Sequence, residues 1–476
     1  MYNHLDTETT IIAPATAAGG AVMVVRLSGS RAIDIADTLF RGKKPLRDCN
    51  GYTLHYGRIV DESERTIDDV VVALFRAPHS YTGDDTVEIT LHGSEYITSE
   101  VLRLAINHGA TMAMPGEFTR RAFLAGKMDL SRAEAVADVI ASDSMWSHNV
   151  ASTQMRGGYS ERLTSLRNEL LRLCALLELE LDFSEEDVEF ADRTQLMQLC
   201  DEIDRVMTRL TDSFAVGNAV KNGVPVAIVG ETNAGKSTLL NALLREERAI
   251  VSDISGTTRD TIEGLMNIGG TTFRFVDTAG VRETQDVVER IGIERALEQL
   301  KKSSIALWLV DPAADYTQME ITAKKILPEC KDKKLAVLIN KSDTIRDERL
   351  AEILEWCKSL VAECGEDIVW SENDIWAISA RYRSNLDRLE EFLVRSAALP
   401  SISSGDVVVT NVRHYEALTR ALANIKEVKQ GLELGLSGDL VSEHLRAAIH
   451  NLSEIVGEVT NDEVLGNIFA NFCIGK

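Results

Sequence analysis

The sequence predicts an α/β domain inserted into an all-α helical domain, with an α+β domain in front of both. Three observations support this fold class. Strand-like and helix-like patterns alternate up to about residue 120. Amphipathic helical patterns fill about 130–214 and return after about residue 411. Between them, from about Val224 to Leu399, buried-strand runs alternate with helical segments, which is the rhythm of a parallel sheet.

The first region is expected to be an α+β domain because it contains short strand candidates at Ala21–Leu27, Asp69–Phe75 and Thr86–Leu91. In Thr86–Leu91 polar and apolar residues alternate with period two, as they do in a strand with one buried face. We place this domain at residues 1–122.

The helical domain is predicted from two stripes of apolar residues at spacings of three and four. The first stripe consists of Leu163, Leu166, Leu170, Leu173 and Leu177. The second consists of Leu418, Leu422, Ile425, Val428 and Leu432, followed by Leu445, Leu452, Ile455 and Val456. Because each stripe needs a partner surface, segments 123–220 and 384–476 are predicted to pack together as one bundle.

The inserted α/β domain is placed at residues 221–383. Its buried strands are predicted at Val226–Val229, Ile305–Val310 and Leu335–Ile339. Short linkers are expected around Asn218–Gly223 and Ser401–Asp406.

Composition excludes several classes of protein. The 476 residues are 45% apolar and 26% charged, which is typical of a multi-domain globular chain. A net charge of −23 repels phosphate backbones on average, so any nucleic-acid contact must be local or come from a basic partner. The seven cysteines are scattered and form no CxxC pair, which argues against both a disulfide framework and a zinc site. No apolar run reaches the roughly eighteen residues that a membrane span needs. A cytoplasmic protein without a membrane span is expected.

The clearest motif is the phosphate-binding loop Gly230–Ser237, which reads Gly-Glu-Thr-Asn-Ala-Gly-Lys-Ser. It lies between a strand pattern and a helical pattern, the context that such a loop requires. Lys236 is expected to neutralise the β and γ phosphates, and the Ser237 hydroxyl to ligate Mg²⁺. The phosphate contacts are predicted to come from Asn233, Ala234, Gly235, Lys236, Ser237 and Thr238.

Two further loops predict a hydrolysable guanine nucleotide. In Asp277-Thr278-Ala279-Gly280 the acid can hold the water shell of the metal, and the Gly280 N–H can sense the γ-phosphate. Asn340-Lys341-Ser342-Asp343 identifies the base, because a carboxylate at Asp343 accepts two hydrogen bonds from guanine and none from adenine. Ser379-Ala380 completes the order of loops, with Arg381 where a lysine is common.

The sequence leaves the route of hydrolysis open. The residue after the Asp277–Gly280 loop is Val281, which cannot orient water as the glutamine of Ras-like proteins does. Hydrolysis is therefore negligible unless another group replaces the glutamine. One substitute is a monovalent cation held by Asn233 against the phosphates. The other is Glu289 acting on the water, although a glutamate in such a position is more often a solvated or capping residue.

Several stretches together resemble the MnmE (TrmE) family of tRNA-modification GTPases over nearly the whole chain. They are Gly230–Ser237, Val251–Asp260, Asp277–Gly280 with Glu289–Ala296, Tyr81–Asp85, Pro115–Thr119, Arg121–Leu124, Lys127–Leu130 and the terminal Phe472-Cys473-Ile474-Gly475-Lys476. The terminal stretch is the most specific of these, because generic GTPases do not end in this way.

The resemblance implies an α/β P-loop GTPase domain inserted in an all-α helical domain, preceded by an α+β folate-binding domain that dimerises. It implies that Mg²⁺ is held by Ser237 and Thr258, and that Glu289 is the catalytic carboxylate. It implies a K⁺ site formed by Asn233, Ser252, Ile254 and Thr257, and potassium-stimulated dimerisation of the GTPase domains. It adds to the nucleotide site the residues Ser252, Asp253, Ile254, Ser255, Gly256, Thr257 and Thr258.

The resemblance also implies a substrate and a partner. With the flavoprotein MnmG (GidA), in a heterotetramer or larger complex, the family modifies C5 of the wobble uridine of certain tRNAs. The one-carbon unit comes from 5-formyl- or 5,10-methylene-tetrahydrofolate, with Arg26, Glu88, Lys127 and Lys476 as the matching folate positions. Cys473 is either a nucleophile for C6 of uridine or a partly buried thiol with no chemical role.

Three other functions would share part of this sequence pattern. A ribosome-assembly GTPase would share every nucleotide loop, but it would be expected to add a basic RNA-binding module that this acidic chain lacks. A folate-dependent aminomethyl transferase has no use for a phosphate loop. A dynamin-type GTPase would need a basic amphipathic surface or a lipid motif, and the sequence shows neither. Modification of tRNA by a GTPase accounts for all three regions.

Overall fold

The structure is a computed structural model, in which the chain divides into two units. The described residues are 9–17, 19–182, 193–231, 233–244, 263–277, 297–364, 367–397, 407–436, 438–460, 462–470 and 472–475. The first unit comprises Met1–Ala141, Ala151–Arg209 and Glu416–Lys476, and the second comprises Ser142–Val150 and Leu210–Tyr415.

The regular elements follow one another in this order. The strands are β1 (Ile11–Pro14), β2 (Val22–Ser28), β3 (Phe40–Gly42), β4 (Thr53–Val60), β5 (Thr66–Phe75), β6 (Thr86–His92), β7 (Thr111–Met112), β8 (Val224–Gly230), β9 (Glu263–Ile268), β10 (Thr271–Asp277), β11 (Ile305–Val310), β12 (Lys334–Ile339) and β13 (Ile375–Ala377). The helices are α1 (Ala32–Leu39), α2 (Glu95–Asn107), α3 (Glu117–Leu124), α4 (Leu130–Ala141), α5 (Met145–Met155), α6 (Gly158–Asp182), α7 (Arg193–Asp212), α8 (Phe214–Asn222), α9 (Lys236–Leu244), α10 (Tyr316–Ile326), α11 (Asp347–Cys364), α12 (Leu386–Ala397), α13 (Val412–Glu433), α14 (Gly438–Val456) and α15 (Asp462–Phe469).

The first unit contains a sheet with the strand order β3-β4-β5-β6-β2-β1-β7. Neighbouring strands are antiparallel, except that β1 and β7 run parallel. One face of the sheet forms a core with α1 and α2. The expected strands at Ala21–Leu27, Asp69–Phe75 and Thr86–Leu91 are confirmed as β2, β5 and β6. The α+β class of this region is therefore confirmed.

The helical part of the same unit is built from two distant chain segments. α6 packs along α14, which follows it by more than 250 residues. The predicted stripes meet at this packing: Leu170 and Leu173 of α6 are fully buried, as is Leu445 of α14. Most of the second unit, Leu210–Tyr415, lies between these two helices in the sequence, so the predicted insertion is confirmed.

The second unit is an α/β fold with the strand order β13-β12-β11-β8-β10-β9. All neighbouring pairs are parallel except β9 with β10. Helices α9 and α12 contribute to the core on one face of the sheet, and α10 and α11 to the core on the other. Every residue of β11 is buried, as expected for a strand covered on both sides.

One expectation about linkers was wrong. Most of Asn218–Gly223 is the last part of α8, and Val220 in this helix is buried. The second expected linker, Ser401–Asp406, lies outside the described residues. Within the part of the chain that the structure describes, no helix combines the length and apolar character needed to cross a membrane.

Candidate functional site

The phosphate loop leaves the carboxyl end of β8, a central strand of the sheet, and leads into α9. Two of its glycines are required by close contacts as well as by positive φ. Gly230 has φ +149°, and a Cβ there would lie 2.2 Å from the Leu309 carbonyl oxygen. Gly235 has φ +98°, and its Cβ would lie 2.2 Å from Nδ2 of Asn340. Any side chain at either position would push the loop away from its neighbours.

The remaining loop residues are placed as a phosphate site requires. Lys236 donates from Nζ to the carbonyl oxygens of Gly230 at 2.9 Å and Glu231 at 2.7 Å, so its ammonium lies inside the loop. Asn233 has φ +68°. The side chains of Asn233, Ser237 and Thr238 are exposed, whereas Ala234 is buried. The hydroxyl of Ser237 therefore faces solvent at the first turn of α9, where a Mg²⁺ ion bound to phosphate would reach it.

Asn340 connects the phosphate loop to the other two loops at this end of the sheet. Its Nδ2 donates to the Ala234 carbonyl oxygen at 2.8 Å, and its Oδ1 accepts from the Ala380 N–H at 3.0 Å. The side chain is 3% exposed. A buried amide with both ends bonded fixes the relative positions of the loops that it joins.

The carboxylate expected to recognise guanine is also held in place. Asp343 is exposed, and its Oδ1 accepts a hydrogen bond of 2.6 Å from the buried Ser379 hydroxyl. Ser379 Oγ in turn accepts from the Tyr382 N–H at 3.3 Å. The neighbouring Arg381 is exposed, with its guanidinium 5.6 Å from the centre of the Tyr382 ring. The carboxylate is thus oriented by the protein while its outer side faces solvent.

The sequence analysis assigned no role to two acidic residues at this end of the sheet, Asp311 and Glu231. Asp311 follows β11 directly, and its Oδ2 lies 2.6 Å from Nζ of Lys341. Glu231, inside the phosphate loop, accepts a hydrogen bond from Thr322 of α10 at 3.5 Å. Burial raises the pKa of Glu231, and the negative charge of Asp311 raises it further. The sequence signal for Asp311 was its position, since an acid at the carboxyl end of a buried parallel strand faces the ligand edge of the sheet.

Of the remaining residues predicted for the nucleotide site, the structure describes Asp277. Asp277 is the last residue of β10, and its backbone is in register with Ile228 beside the phosphate loop. Outside the described residues lie Ser252, Asp253, Ile254, Ser255, Gly256, Thr257, Thr258, Thr278, Ala279, Gly280 and Glu289.

A second cluster of predicted residues lies in the first unit. Arg26 of β2 and Glu88 of β6 are partners in the antiparallel register, and their side chains form an ion pair of 2.7 Å. Nη1 of Arg26 also donates to the Gly475 carbonyl oxygen at 3.2 Å. The end of the chain therefore returns to the N-terminal sheet at the two residues that the family resemblance assigns to folate.

Aromatic side chains surround this ion pair, and the sequence analysis did not assign them a role. The Arg26 guanidinium lies 5.7 Å from the ring centre of Tyr81 and 5.5 Å from that of Phe118. Tyr81 Oη is 2.9 Å from Oγ1 of Thr119, and burial raises the pKa of Tyr81. Because these residues belong to the stretches Tyr81–Asp85 and Pro115–Thr119, the family motifs were the signal that could have found them.

The other predicted folate residues are not part of this contact. Lys127 is exposed and donates from Nζ to the Pro78 carbonyl oxygen, in the loop that carries Tyr81. Lys476 lies outside the described residues. The Cys473 thiol is free and exposed, and the Cys473 carbonyl oxygen accepts from the Gly116 N–H at 3.4 Å. The prediction of partial burial for this thiol is wrong, because the terminal turn directs the side chain outward.

The chain matches two family descriptions, "MnmE helical domain" over residues 130–473 and "GTP-binding protein TrmE N-terminus" over residues 10–127. It is 54% identical over 472 residues to the tRNA modification GTPase MnmE of Bacteroides fragilis, covering 98% of this chain and 100% of that protein. The protein of the same name from Flavobacterium johnsoniae is 48% identical over 475 residues, with 98% and 99% covered.

Among solved structures, a GDP.AlF4⁻-bound variant of Aquifex aeolicus Era is 29% identical, covering 42% of this chain and 65% of that chain. Its TM-score of 0.28 is too low to support a conclusion about this fold. The full-length similarity and the two family matches decide the assignment, and the chain belongs to the MnmE family of tRNA modification GTPases.

Proposed function

We propose that this chain is a GTP hydrolase that, with the flavoprotein MnmG, modifies C5 of the wobble uridine of tRNA using a folate one-carbon unit. The observation that carries the proposal is the set of hydrogen bonds through which Asn340 joins Ala234 to Ala380, while Ser379 orients Asp343. Relatives that match this chain along its full length are named tRNA modification GTPases.

Guanine selection follows from the oriented carboxylate. Guanine presents N1–H and an exocyclic amine as adjacent donors, and Asp343 can accept from both. Adenine would leave this carboxylate desolvated without a donor, which costs about 1–3 kcal/mol or more for a charged group. We expect Asp343→Asn to abolish the preference for GDP over ADP in calorimetry with Mg²⁺ present. An unchanged preference in that variant would rule out this part of the proposal.

The residues for the two metal ions suit their roles where they are described. Ser237 offers an exposed hydroxyl and would hold Mg²⁺ together with Thr258. Asn233 is exposed at the loop and would hold K⁺ together with Ser252, Ile254 and Thr257. These cations supply positive charge against the phosphates as negative charge develops during cleavage. In place of the missing glutamine, Glu289 would orient the attacking water.

The hydrolysis route is tested by comparing steady-state GTPase rates in KCl and NaCl at equal ionic strength. We expect a higher rate in KCl, because a K⁺ ion held by Asn233 would place positive charge against the phosphates. Asn233→Ala should remove the difference between the salts, and Glu289→Ala should lower the rate in both. Equal wild-type rates in both salts would exclude the cation, and an undiminished Glu289→Ala rate would exclude the glutamate.

The folate site is supported by Arg26, Glu88 and the aromatic rings around them. Since Arg26 and Glu88 contact each other, both would act on the same part of the ligand, and Lys127 and Lys476 would meet another part. A pterin ring would stack on the partly exposed Tyr81 while its polar edge bonds to the ion pair. Calorimetry with 5-formyl-tetrahydrofolate should show binding that Arg26→Ala weakens. Arg58→Ala, which removes an exposed arginine from β4, serves as the control.

The wider function requires a homodimer, the MnmG partner and tRNA. Closing of the facing GTPase domains on GTP, and their opening after hydrolysis, would drive the modification cycle. Mass spectrometry of tRNA nucleosides from cells lacking this protein is the test. We expect the modified wobble uridine to disappear and to return on complementation with the wild-type chain. Normal levels in the deletion strain would contradict the assignment, and an unchanged tRNA pool with a ribosome-assembly defect would favour the competing function.

A further inference from the structure

Asp311 is an acidic residue at the nucleotide end of the sheet that none of the predicted roles uses. It follows the last residue of β11, and Val310 of β11 is in register with Ile339 of β12. Asp311 is therefore the residue that follows β11, and Asn340 is the residue that follows β12. This parallel register brings Asp311 beside the loop that begins at Asn340.

The Asp311 carboxylate is fixed on both of its oxygens. Oδ1 accepts a hydrogen bond of 3.0 Å from the Ala313 N–H, within its own turn. Oδ2 accepts from Nζ of Lys341 at 2.6 Å. Its side chain is only 13% exposed, compared with 37% for that of Lys341. A largely buried carboxylate held by its own backbone is a rigid anchor, so the lysine is the partner that becomes ordered.

Lys341 needs such an anchor because its backbone has a conformation that is unfavourable for a lysine. It has φ +56° and ψ +33°, a left-handed conformation that is strained for a residue other than glycine. This conformation turns the chain between Asn340, which bonds to the phosphate loop, and Asp343, which faces the base. A lysine whose backbone conformation and ammonium are both fixed holds its aliphatic stem in one place, two residues before Asp343 in the same loop.

We propose that Asp311 is a positioning residue for the guanine nucleotide and that it acts through Lys341. The proposal rests on the guanine-nucleotide binding proposed above. Asp311 would not touch the nucleotide. It would fix the Lys341 stem and the turn that presents Asp343, so that less conformational entropy is lost when the nucleotide binds.

Asp311 also lies close enough to the phosphate loop for its charge to raise the pKa of Glu231, which offers a second route to the nucleotide. Through Glu231 it would influence the phosphates and leave the base loop unaffected. The two routes differ in their dependence on Lys341. A double-mutant cycle between Asp311 and Lys341 therefore separates them.

The experiment uses the full-length chain with Mg²⁺ and measures calorimetric affinities for GDP, IDP and ADP. We expect Asp311→Asn to weaken GDP and IDP about five- to tenfold each, so that their ratio stays at the wild-type value. Asp343→Asn should instead change that ratio, because IDP lacks the exocyclic amine. In a Lys341→Met background, Asp311→Asn should produce no further loss. A full additional loss in that background, or wild-type affinity in Asp311→Asn, would overturn the proposal.

Steady-state kinetics and folding controls complete the test. Asp311→Asn should raise KM for GTP with kcat within about twofold of wild type, and Asp311→Glu should recover most of the affinity, since it restores the charge. Asp315→Asn removes an exposed acid four residues away and should bind GDP as wild type does. Circular dichroism of each variant checks the fold. If wild type fails to prefer GDP over ADP, guanine binding itself is wrong. If the preference holds and Asp311→Asn is neutral, only the positioning role is wrong.

Discussion

At the scale of single residues, the close fit of the phosphate loop against its neighbours makes Gly235 the most sensitive position of the candidate site. We expect Gly235→Ala to abolish measurable GDP binding, because the new Cβ would displace the Asn340 amide that joins three loops. The positive φ at this position adds roughly 1–2 kcal/mol of strain for alanine. Calorimetry with GDP and thermal unfolding would measure the two effects.

The control for this variant is Gly270→Ala. Gly270 lies in the same unit with φ +80°, and a Cβ there meets no atom within 4 Å. Its substitution should cost a similar backbone strain while GDP affinity stays unchanged. If Gly235→Ala bound GDP like the wild-type chain, the loop contact with Asn340 would have no importance for the site.

The cysteines are predicted to differ widely in reactivity. Burial raises the pKa of Cys200 to about 11, and those of Cys330 and Cys357 to about 12. At about pH 8 these thiols are almost wholly protonated, and the thiolate fraction grows only as pH rises toward those values. Cys473 is exposed. Iodoacetamide should therefore modify Cys473 well before the three buried thiols in the native chain.

Peptide mass spectrometry after timed labelling would measure this order. Cys473→Ser should lack the early modification, whereas labelling in denaturant should reach every cysteine. Rapid native labelling of Cys330 or Cys357 would show that the second unit opens readily or that its core is wrongly described.

The residues of the two candidate sites show which single-residue features a sequence can predict and which it cannot. Gly235, Lys236 and Asp343 were predicted because a phosphate loop and a base loop constrain residue type at fixed spacing. The contact of Arg26 with Glu88 was not predicted, since it depends on the register between two strands separated by 62 positions. Asp311 was missed for a similar reason, because its contact with Lys341 depends on the register between β11 and β12.

At the scale of elements, predictability followed the length and apolar character of each segment. β8, β11 and β12 were predicted because continuous buried runs leave little choice of structure. The three-residue β3 was not, since so short an edge strand has no period to read. The second half of α8 was mistaken for the linker Asn218–Gly223, because glycine and asparagine, which are common in turns, occupy a helix stabilised by tertiary packing.

The packing of α6 against α14 gives a prediction about stability. Leu170 is fully buried, whereas the adjacent Leu171 is 40% exposed on the same helix. Leu170→Ala should lower the free energy of unfolding by about 2–5 kcal/mol, because it removes buried methyl groups and leaves a cavity. Leu171→Ala should cost less than about 1 kcal/mol. Chemical denaturation of both variants would measure the difference, and equal losses would contradict the described packing.

At the scale of the whole molecule, the chain enters and leaves the second unit at neighbouring points. The ring of Phe214 stacks on that of Tyr415 with centres 4.3 Å apart. Nearby, the Val409 N–H donates to Oγ of Ser213 at 3.0 Å. Adjacent ends allow a complete unit to be inserted without disturbing the fold that receives it. The return of a helical pattern after residue 411 was the sequence signal of this arrangement.

A short segment from before the insertion also belongs to the second unit. Residues Ser142–Val150 group with it, and Asp143 accepts from the Thr272 hydroxyl at 2.9 Å through Oδ1. The Asp143 carbonyl oxygen accepts from Nδ2 of Asn267 at 3.2 Å. Both donors lie on the hairpin β9–β10. No sequence pattern predicted this contact, because it joins a loop to a hairpin more than 120 positions away by two polar bonds.

These two features together predict the behaviour of a fragment spanning Leu210–Tyr415. It contains the phosphate loop, the base loop, and the sheet with the hydrophobic cores on both of its faces, so it should fold on its own. Its affinity for GDP should be within about threefold of that of the full-length chain. It lacks Asp143, so its hairpin loses two hydrogen bonds, and it should unfold at a lower temperature than the same unit in the full chain. Calorimetry and thermal circular dichroism would measure both properties. A folded fragment that binds no GDP would mean that the nucleotide site needs residues from outside the inserted segment.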